Sequence, residues 1–226
     1  MEQSSDKDQV EKKVYEVKTF PVPFPLRENE ENITITTNTP TKPSQEQIIN
    51  QAFKFHSQGN ISEAAKLYQY FISQGFNDHR VFSNYGVILK DLGKLKEAEL
   101  STQKAIELNP NLAEAHSNMG NILKDLGNLK EAEIFTRKAI EINPDYAKAH
   151  SNLGLVLKDL GNLKEAEIST RKAIEIEPDY TKAHYNLGNI LMDLCKLKEA
   201  ELSYHKAIEL KPDYADAYFN LALLEL

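Results

Sequence analysis

The sequence predicts an all-α solenoid, antiparallel helix pairs stacked one on the next, behind a disordered N-terminal arm. Three observations predict it. Residues 113–146 laid over residues 147–180 agree at 28 of 34 positions, and self-similarity at a fixed period of this length marks units that bury their apolar faces only against neighbours. Within each unit apolar residues recur twice at helical spacing. A glycine and a proline then punctuate most units at the same two places, as helix ends require.

Residues 1–44 alternate charge with Pro and Thr and show no helical period, so a disordered arm is expected there. Its Phe20-Pro21-Val22-Pro23-Phe24-Pro25 stretch favours extended backbone. It reads either as a tether or as a segment whose Phe20, Val22 and Phe24 dock in a groove, on this protein or another.

The repeat array is expected over residues 45–226: a divergent unit 45–78, then 79–112, 113–146, 147–180 and 181–214, and a half unit 215–226. In the third unit His116, Met119, Gly120, Leu123 and Leu126 fall on one face of a first helix. Gly127 stops that helix because glycine tolerates the left-handed conformation, and Asn128 reads as a start signal for the next. The second helix turns Leu129, Ala132, Thr136, Ala139 and Ile140 inward, and Pro144, which lacks an amide donor, breaks it. The small residues Gly120, Ala132 and Ala139 let the helix backbones approach. In the fifth unit Cys195 takes the place of the helix-ending glycine. A side chain forced into the left-handed region costs on the order of 1 kcal/mol.

Composition narrows the function. A formal charge of -7 over 226 residues argues against general affinity for nucleic acid or anionic membrane, although it leaves room for a local basic patch. The one cysteine forms no internal disulfide and makes no zinc site, which fits a reducing compartment. The first residues lack the apolar core of a signal peptide, and no run approaches the ~20 apolar residues of a membrane span. The cytoplasm is the expected location.

No catalytic chemistry is expected. His116, His150 and His184 recur at one place, but stacked helices lie ~10 Å apart whereas zinc needs donors at ~2 Å. They read as rings packed between helices, and no metal site is expected. Glu97, Glu131, Glu165 and Glu199 read as a solvated face. Each glycine stands alone, so no phosphate loop is present, and Ser101-Thr102 and Ser169-Thr170 have no local base. Neither a cofactor nor an enzymatic role follows.

The residues that identify the architecture are His150, Leu153, Gly154, Leu157, Ala166, Thr170, Ala173 and Pro178, at places 4, 7, 8, 11, 20, 24, 27 and 32 of a 34-residue unit. This pattern resembles the tetratricopeptide repeat (TPR) family, which carries a large residue, Leu, Gly, a large residue, Ala, an aromatic, Ala and Pro at those places. The resemblance spans residues 45–226 and implies helix pairs stacked into a right-handed superhelix with a concave groove. His116, His150 and His184 stand where the family often has Trp, and Thr102, Thr136 and Thr170 where it usually has an aromatic. Lightly packed cores are therefore expected.

In this family the stripe at places 2, 5, 6, 9 and 13 of each first helix lines the groove. Place 6 is asparagine in every unit: Asn50, Asn84, Asn118, Asn152, Asn186 and Asn220. An amide side chain donates and accepts, the complement of a peptide group. One asparagine per ~10 Å repeat matches about three extended residues at ~3.3 Å each. The ladder resembles the TPR superhelix of O-linked N-acetylglucosamine transferases, in which such asparagines grip the backbone of protein substrates. The same amides also read as bonds that knit neighbouring repeats. Beside them Ser83, Ser117 and Ser151 give way to Tyr185 and Phe219, and Asn121 and Asn189 alternate with Val87 and Leu155. Lys90, Lys124 and Lys158 beside Asp91, Asp125 and Asp159 form a mixed-charge rim. The basic clamp of chaperone-binding TPR domains is missing, because place 5 carries Ser rather than Lys and place 6 never carries Arg.

The expected function is a protein-interaction scaffold that holds an extended peptide or partner segment through Asn84, Asn118, Asn152, Asn186, Asn220, Asn121, Asn189, Tyr185 and Phe219. The alternative is a substrate-presenting arm of a larger enzyme such as a glycosyltransferase. The sequence stops at Leu226 within a first helix and shows no polar cap, so a longer parent protein, or self-association through the uncapped C-terminal end, is also expected.

Overall fold

A computed structural model describes residues 43–224. The expected disordered arm lies outside them except for its last two residues. The described residues form eleven α-helices and no strand: α1 Gln45–Ser57, α2 Ile61–Ser73, α3 His79–Asp91, α4 Leu95–Leu108, α5 Ala113–Asp125, α6 Leu129–Ile142, α7 Ala147–Asp159, α8 Leu163–Ile176, α9 Thr181–Asp193, α10 Leu197–Leu210 and α11 Ala215–Leu224. Odd-numbered helices are the first and even-numbered ones the second of each pair, as the 34-residue period requires.

Local chemistry sets the boundaries. α1 opens with a capping box, in which Gln47 N–H donates to Ser44 Oγ (3.2 Å) and Ser44 N–H to Gln47 Oε1 (2.8 Å). After α5, Gly127 adopts φ 81°. Its N–H then donates to Lys124 O at 2.9 Å and the Asn128 N–H to Leu123 O at 2.8 Å, the paired closure that satisfies the last carbonyls of a helix. Cys195 repeats this closure at φ 58°, with Cys195 N–H to Met192 O and Lys196 N–H to Leu191 O, both 2.9 Å. The left-handed assignment of Cys195 therefore holds.

Asn128 does precede α6, but its side chain makes no capping bond, and Lys94 and Lys196 fill the same place equally. With ψ near 61° rather than the extended value of a usual N-cap, the residue is positioned by the turn before it, not by its own amide. At the other end of α6, Asn143 is extended (φ -135°, ψ 94°) because the residue before a proline is pushed out of the helical region.

Within each pair the helices close on one point. A Cβ on Gly120 would collide with Thr136 Oγ1 and lie 3.1 Å from the Ala132 carbonyl oxygen. Thr136 Oγ1 donates to that carbonyl at 2.7 Å and is fully buried. Light packing is thus not found beneath the threonines: the small side chain lets the helices move together. In the first and fifth pairs Tyr68 and Tyr204 fill the corresponding place and are wholly buried. Around these contacts Ile88, Ile122, Val156, Leu157, Ile190 and Leu191 are sequestered from solvent, each worth ~1.5–3 kcal/mol of burial.

First helices of successive pairs touch one another (α3 with α5, α5 with α7, α7 with α9), whereas successive second helices scarcely meet. The stack therefore curves with the first helices on its inner face and the second helices splayed outside. Ion pairs bridge the splay: Arg171 holds Glu167 of its own helix (2.9 Å) and Glu199 of the next pair (2.7 Å), and Lys196 reaches back to Glu167 (2.7 Å). Burial raises the pKa of Glu167, but hydrogen bonds from Lys196 and Arg171 outweigh it and hold the carboxyl below its usual range.

Candidate functional site

Of the places expected to line the inner face, place 5 is buried between helices at Ser83, Ser117 and Ser151. The structure places the asparagine row between repeats rather than on an open floor. Asn118 Nδ2 donates to Ser83 Oγ at 3.2 Å, Asn152 Nδ2 to Ser117 Oγ at 2.9 Å and Asn186 Nδ2 to Ser151 Oγ at 3.0 Å. These three amides are only 4–8% exposed. The knitting role read from the sequence is therefore present, and it consumes one of the two amide protons of each residue. Among the described residues their Oδ1 atoms take part in no hydrogen bond, so one acceptor and one donor per amide remain for a partner. Serine at the preceding place makes this possible, because a small hydroxyl lets first helices approach and then accepts the amide.

At the C-terminal end the arrangement changes. Asn220 Nδ2 donates to Tyr185 OH (3.2 Å) and to Asn189 Oδ1 (2.8 Å), and Asn189 Oδ1 also accepts from Tyr204 OH at 2.8 Å. Tyr204 belongs to the second helix α10, and its ring passes over Gly188, where a Cβ would strike the ring, to reach the inner face. Burial, with the Tyr185 hydroxyl nearby, pushes the Tyr204 pKa up to about 12. Tyr185, Asn189 and Asn220 are thus brought together, with Tyr204 as a member the sequence did not reveal. Phe219 stands apart, 66% exposed.

Asn118, Asn121 and Asn152 share one cavity of about 200 Å³ on the inner face with Lys90, Lys148, Lys182 and Tyr180. Neither Asn84 nor Asn186 lines it. Lys90 is paired with Asp91 at 2.8 Å and lies 3.9 Å from Asp125. The rim lysines behave alike: Lys124 meets Asp125 (2.9 Å) and Lys158 meets Asp193 of the next pair (3.2 Å).

Lys148 and Lys182 differ, for among the described residues neither has a carboxylate within ion-pair distance. Asp91 also lines the cavity but is paired with Lys90, so Lys148 and Lys182 leave it a small positive site in an acidic chain. Burial, followed by Glu177, raises the pKa of Tyr180, which keeps its hydroxyl a neutral donor at the cavity wall. Sequence reasoning passed over the two lysines, yet a signal existed. Place 2 reads Glu114 in the third unit, Lys148 and Lys182 in the next two, and Asp216 in the half unit.

The three histidines are structural. Their Nε2 atoms lie 2.8, 2.8 and 2.7 Å from the carbonyl oxygens of Pro110, Pro144 and Pro178. A carbonyl only accepts, so Nε2 carries the proton and each ring ties down the loop that enters its helix. Among the described residues no group of three His, Cys, Asp or Glu is placed to hold a metal, and no helix is long and apolar enough to cross a membrane.

A family model described as tetratricopeptide repeat matches residues 113–146, 147–180 and 181–214, and one described as TPR repeat matches residues 86–127. No curated protein matches the chain. Among solved structures, TTC0263, a thermophilic TPR protein of Thermus thermophilus, superposes with a TM-score of 0.70 at 20% identity, covering 80% of this chain and 98% of that one. PilF of Pseudomonas aeruginosa gives 0.67 at 16% identity over 80% and 82% of the two chains. YrrB, a TPR protein with an unusual peptide-binding site, gives 0.56 at 23% identity over 78% and 91%. At these identities the likeness is one of fold.

Proposed function

The chain belongs to the tetratricopeptide repeat family, and from that premise we propose that its inner face binds an extended peptide bearing acidic side chains. Proteins of this fold are in general protein-interaction scaffolds, and the repeats support that general role here. The observation that carries the finer reading is the pair Lys148 and Lys182 in the cavity formed with Asn118, Asn121 and Asn152. Two ammonium groups without an ion-pair partner attract carboxylates. The uncommitted amide groups beside them complement a peptide backbone. A peptide in the polyproline II conformation turns once every three residues and rises ~3.1 Å per residue, so acidic residues three apart share a face and meet successive lysines on repeats ~10 Å apart. YrrB, a protein of the same fold, has a peptide-binding site, which supports the reading by analogy.

Fluorescence anisotropy tests this with a labelled ten-residue peptide, blocked at both termini, that carries two glutamates three residues apart. The expected result is binding that weakens with salt, falls about tenfold for Lys148→Ala or Lys182→Ala, and is lost when glutamine replaces both glutamates. Equal binding by the glutamine peptide, or by the lysine variants, sinks the proposal. The lysines are the better probe than the asparagines, because Asn118→Ala and Asn152→Ala also remove bonds that join repeats.

A further inference from the structure

Where the second helices splay apart, each repeat has to cover the apolar face of the first helix beneath. The first three repeats do so with their own large side chains. Leu67 packs on the core of the first, and Phe82 in the second lies against Ile72 and Ile106. In the third, Phe135 stacks on the His116 ring, centroids 5.9 Å apart and planes at 27°, and joins the cluster of Met119 and Leu123.

The fourth and fifth repeats lack both devices. The place of Phe82 is taken by His150 and His184, and the place of Phe135 by Ser169 and Ser203. Their seams are correspondingly open. One, of about 470 Å³, is floored by Ile140, His150 and Leu153 and flanked by Ile168. The other, of about 480 Å³, is floored by Ile174, His184, Leu187 and Leu191 and flanked by Leu202. The equivalent seam that Phe135 narrows measures about 330 Å³. Ile168 and Leu202 are each 69% exposed beside these openings, as Leu100 (73%) and Ile134 (66%) are at the same place of the preceding repeats, so it is the wider seam and not the flanking residue that sets the last two repeats apart.

We propose that the two outer seams are docking pockets for a partner α-helix that inserts one aromatic side chain over His150 and a second over His184. Phe135 on His116 supplies the template for what each pocket accepts. The spacing selects a helix. Residues seven apart rise ~10.5 Å on nearly one face, which matches repeats ~10 Å apart. In a strand, residues three apart cover the same distance but point to opposite faces, and a polyproline II segment, which does align them, has no internal hydrogen bonds to satisfy its backbone over an apolar surface. A helix also satisfies its own backbone groups over an apolar surface, and its flanking apolar residues cover Ile168 and Leu202. The charged walls are already paired: Arg171 with Glu199 at 2.7 Å, Lys172 with Glu175 at 2.7 Å, Arg137 with Glu133 at 2.8 Å. Recognition here is therefore apolar, unlike that on the inner face.

The test uses a fluorescein-labelled, alanine-rich helical peptide with phenylalanines seven residues apart, and a control in which they are five apart. The heptad peptide is expected to bind at least about tenfold more tightly than the control, as burial of one more aromatic ring implies. Ser169→Phe with Ser203→Phe, which fills both seams from within as Phe135 does, is expected to abolish binding without lowering the melting temperature. Should that variant unfold, Ile168→Lys with Leu202→Lys on the exposed flanks is expected to weaken binding by a similar factor. Absence of heptad-peptide binding, indifference to spacing, or undiminished binding by a folded seam variant overturns the proposal. Lys148→Ala with Lys182→Ala leaves this binding unchanged, which separates the outer surface from the inner one.

Discussion

Cys195→Gly is expected to stabilise the array. Cys195 sits at φ 58° where Gly93, Gly127 and Gly161 sit at 74°, 81° and 81°. It occupies the narrow left-handed basin open to ordinary residues, whereas the glycines have relaxed beyond it. The hydrogen bonds that close the turn are the same in all four, so the substitution leaves the closure intact and removes only the steric cost of the side chain. That cost is ~1–2 kcal/mol. About 0.5–1 kcal/mol is returned because glycine makes the unfolded chain freer. The thiol is exposed, so little packing is lost, and the net gain is ~0.5–1 kcal/mol. For a domain of this size that corresponds to a rise in Tm of ~1–4 °C, measurable by circular dichroism under reducing conditions. Gly161→Ala is the reciprocal experiment and is expected to cost about 1 kcal/mol, since nothing lies within 4 Å of a Cβ there and only the φ of 81° opposes it. A lower Tm for Cys195→Gly, or a neutral Gly161→Ala, refutes the reasoning.

Gly154→Ala tests the close approach of α7 and α8: its Cβ would collide with Thr170 Oγ1 and lie 3.2 Å from the Ala166 carbonyl oxygen. A loss of about 2 kcal/mol is expected in urea unfolding. Adding Thr170→Ala is expected to restore only part of it, because the carbonyl stays. Glu167→Gln tests the ion pairs between α8 and the α9–α10 turn. The folded-state pKa of Glu167 is lowered, so its stabilisation is present above the unfolded carboxylate value of ~4.3 and is lost as pH falls through the lowered folded value. The variant is therefore expected to be less stable by about 1 kcal/mol near neutral pH, with the difference vanishing at about pH 2. Urea melts at the two pH values decide it, and a gap that persists in acid counts against the pairing.

The sequence was most legible where a residue acts on its own backbone. Gly127 and Cys195 announce a left-handed turn through position alone, and Pro144 announces the extended Asn143 before it. The capping role of Asn128 failed on the same local scale, because the preceding turn fixes its ψ before the side chain can reach an amide. The asparagine row was visible as a recurrence, and both of its readings were open, since a bond from Asn152 to Ser117 joins residues 35 apart. Only the distance between first helices decides whether such an amide faces solvent or a serine.

By itself the sequence determined the helix boundaries, the pairing of helices and the 34-residue stack, since these follow from periodicity and from the backbone preferences of Gly and Pro. The tertiary structure decided which polar groups are left over. It joined Asn118, Asn152 and Asn186 to serines of the repeat before, paired Lys90 and Lys158, and left Lys148 and Lys182 in the inner cavity without a carboxylate. It also threaded Tyr204 past Gly188 to Asn189, and opened two seams where Ser169 and Ser203 replace an aromatic ring. The reason is physical: backbone preference acts within a few residues, while the satisfaction of a charge, an amide or an apolar surface depends on helices brought together from a repeat away.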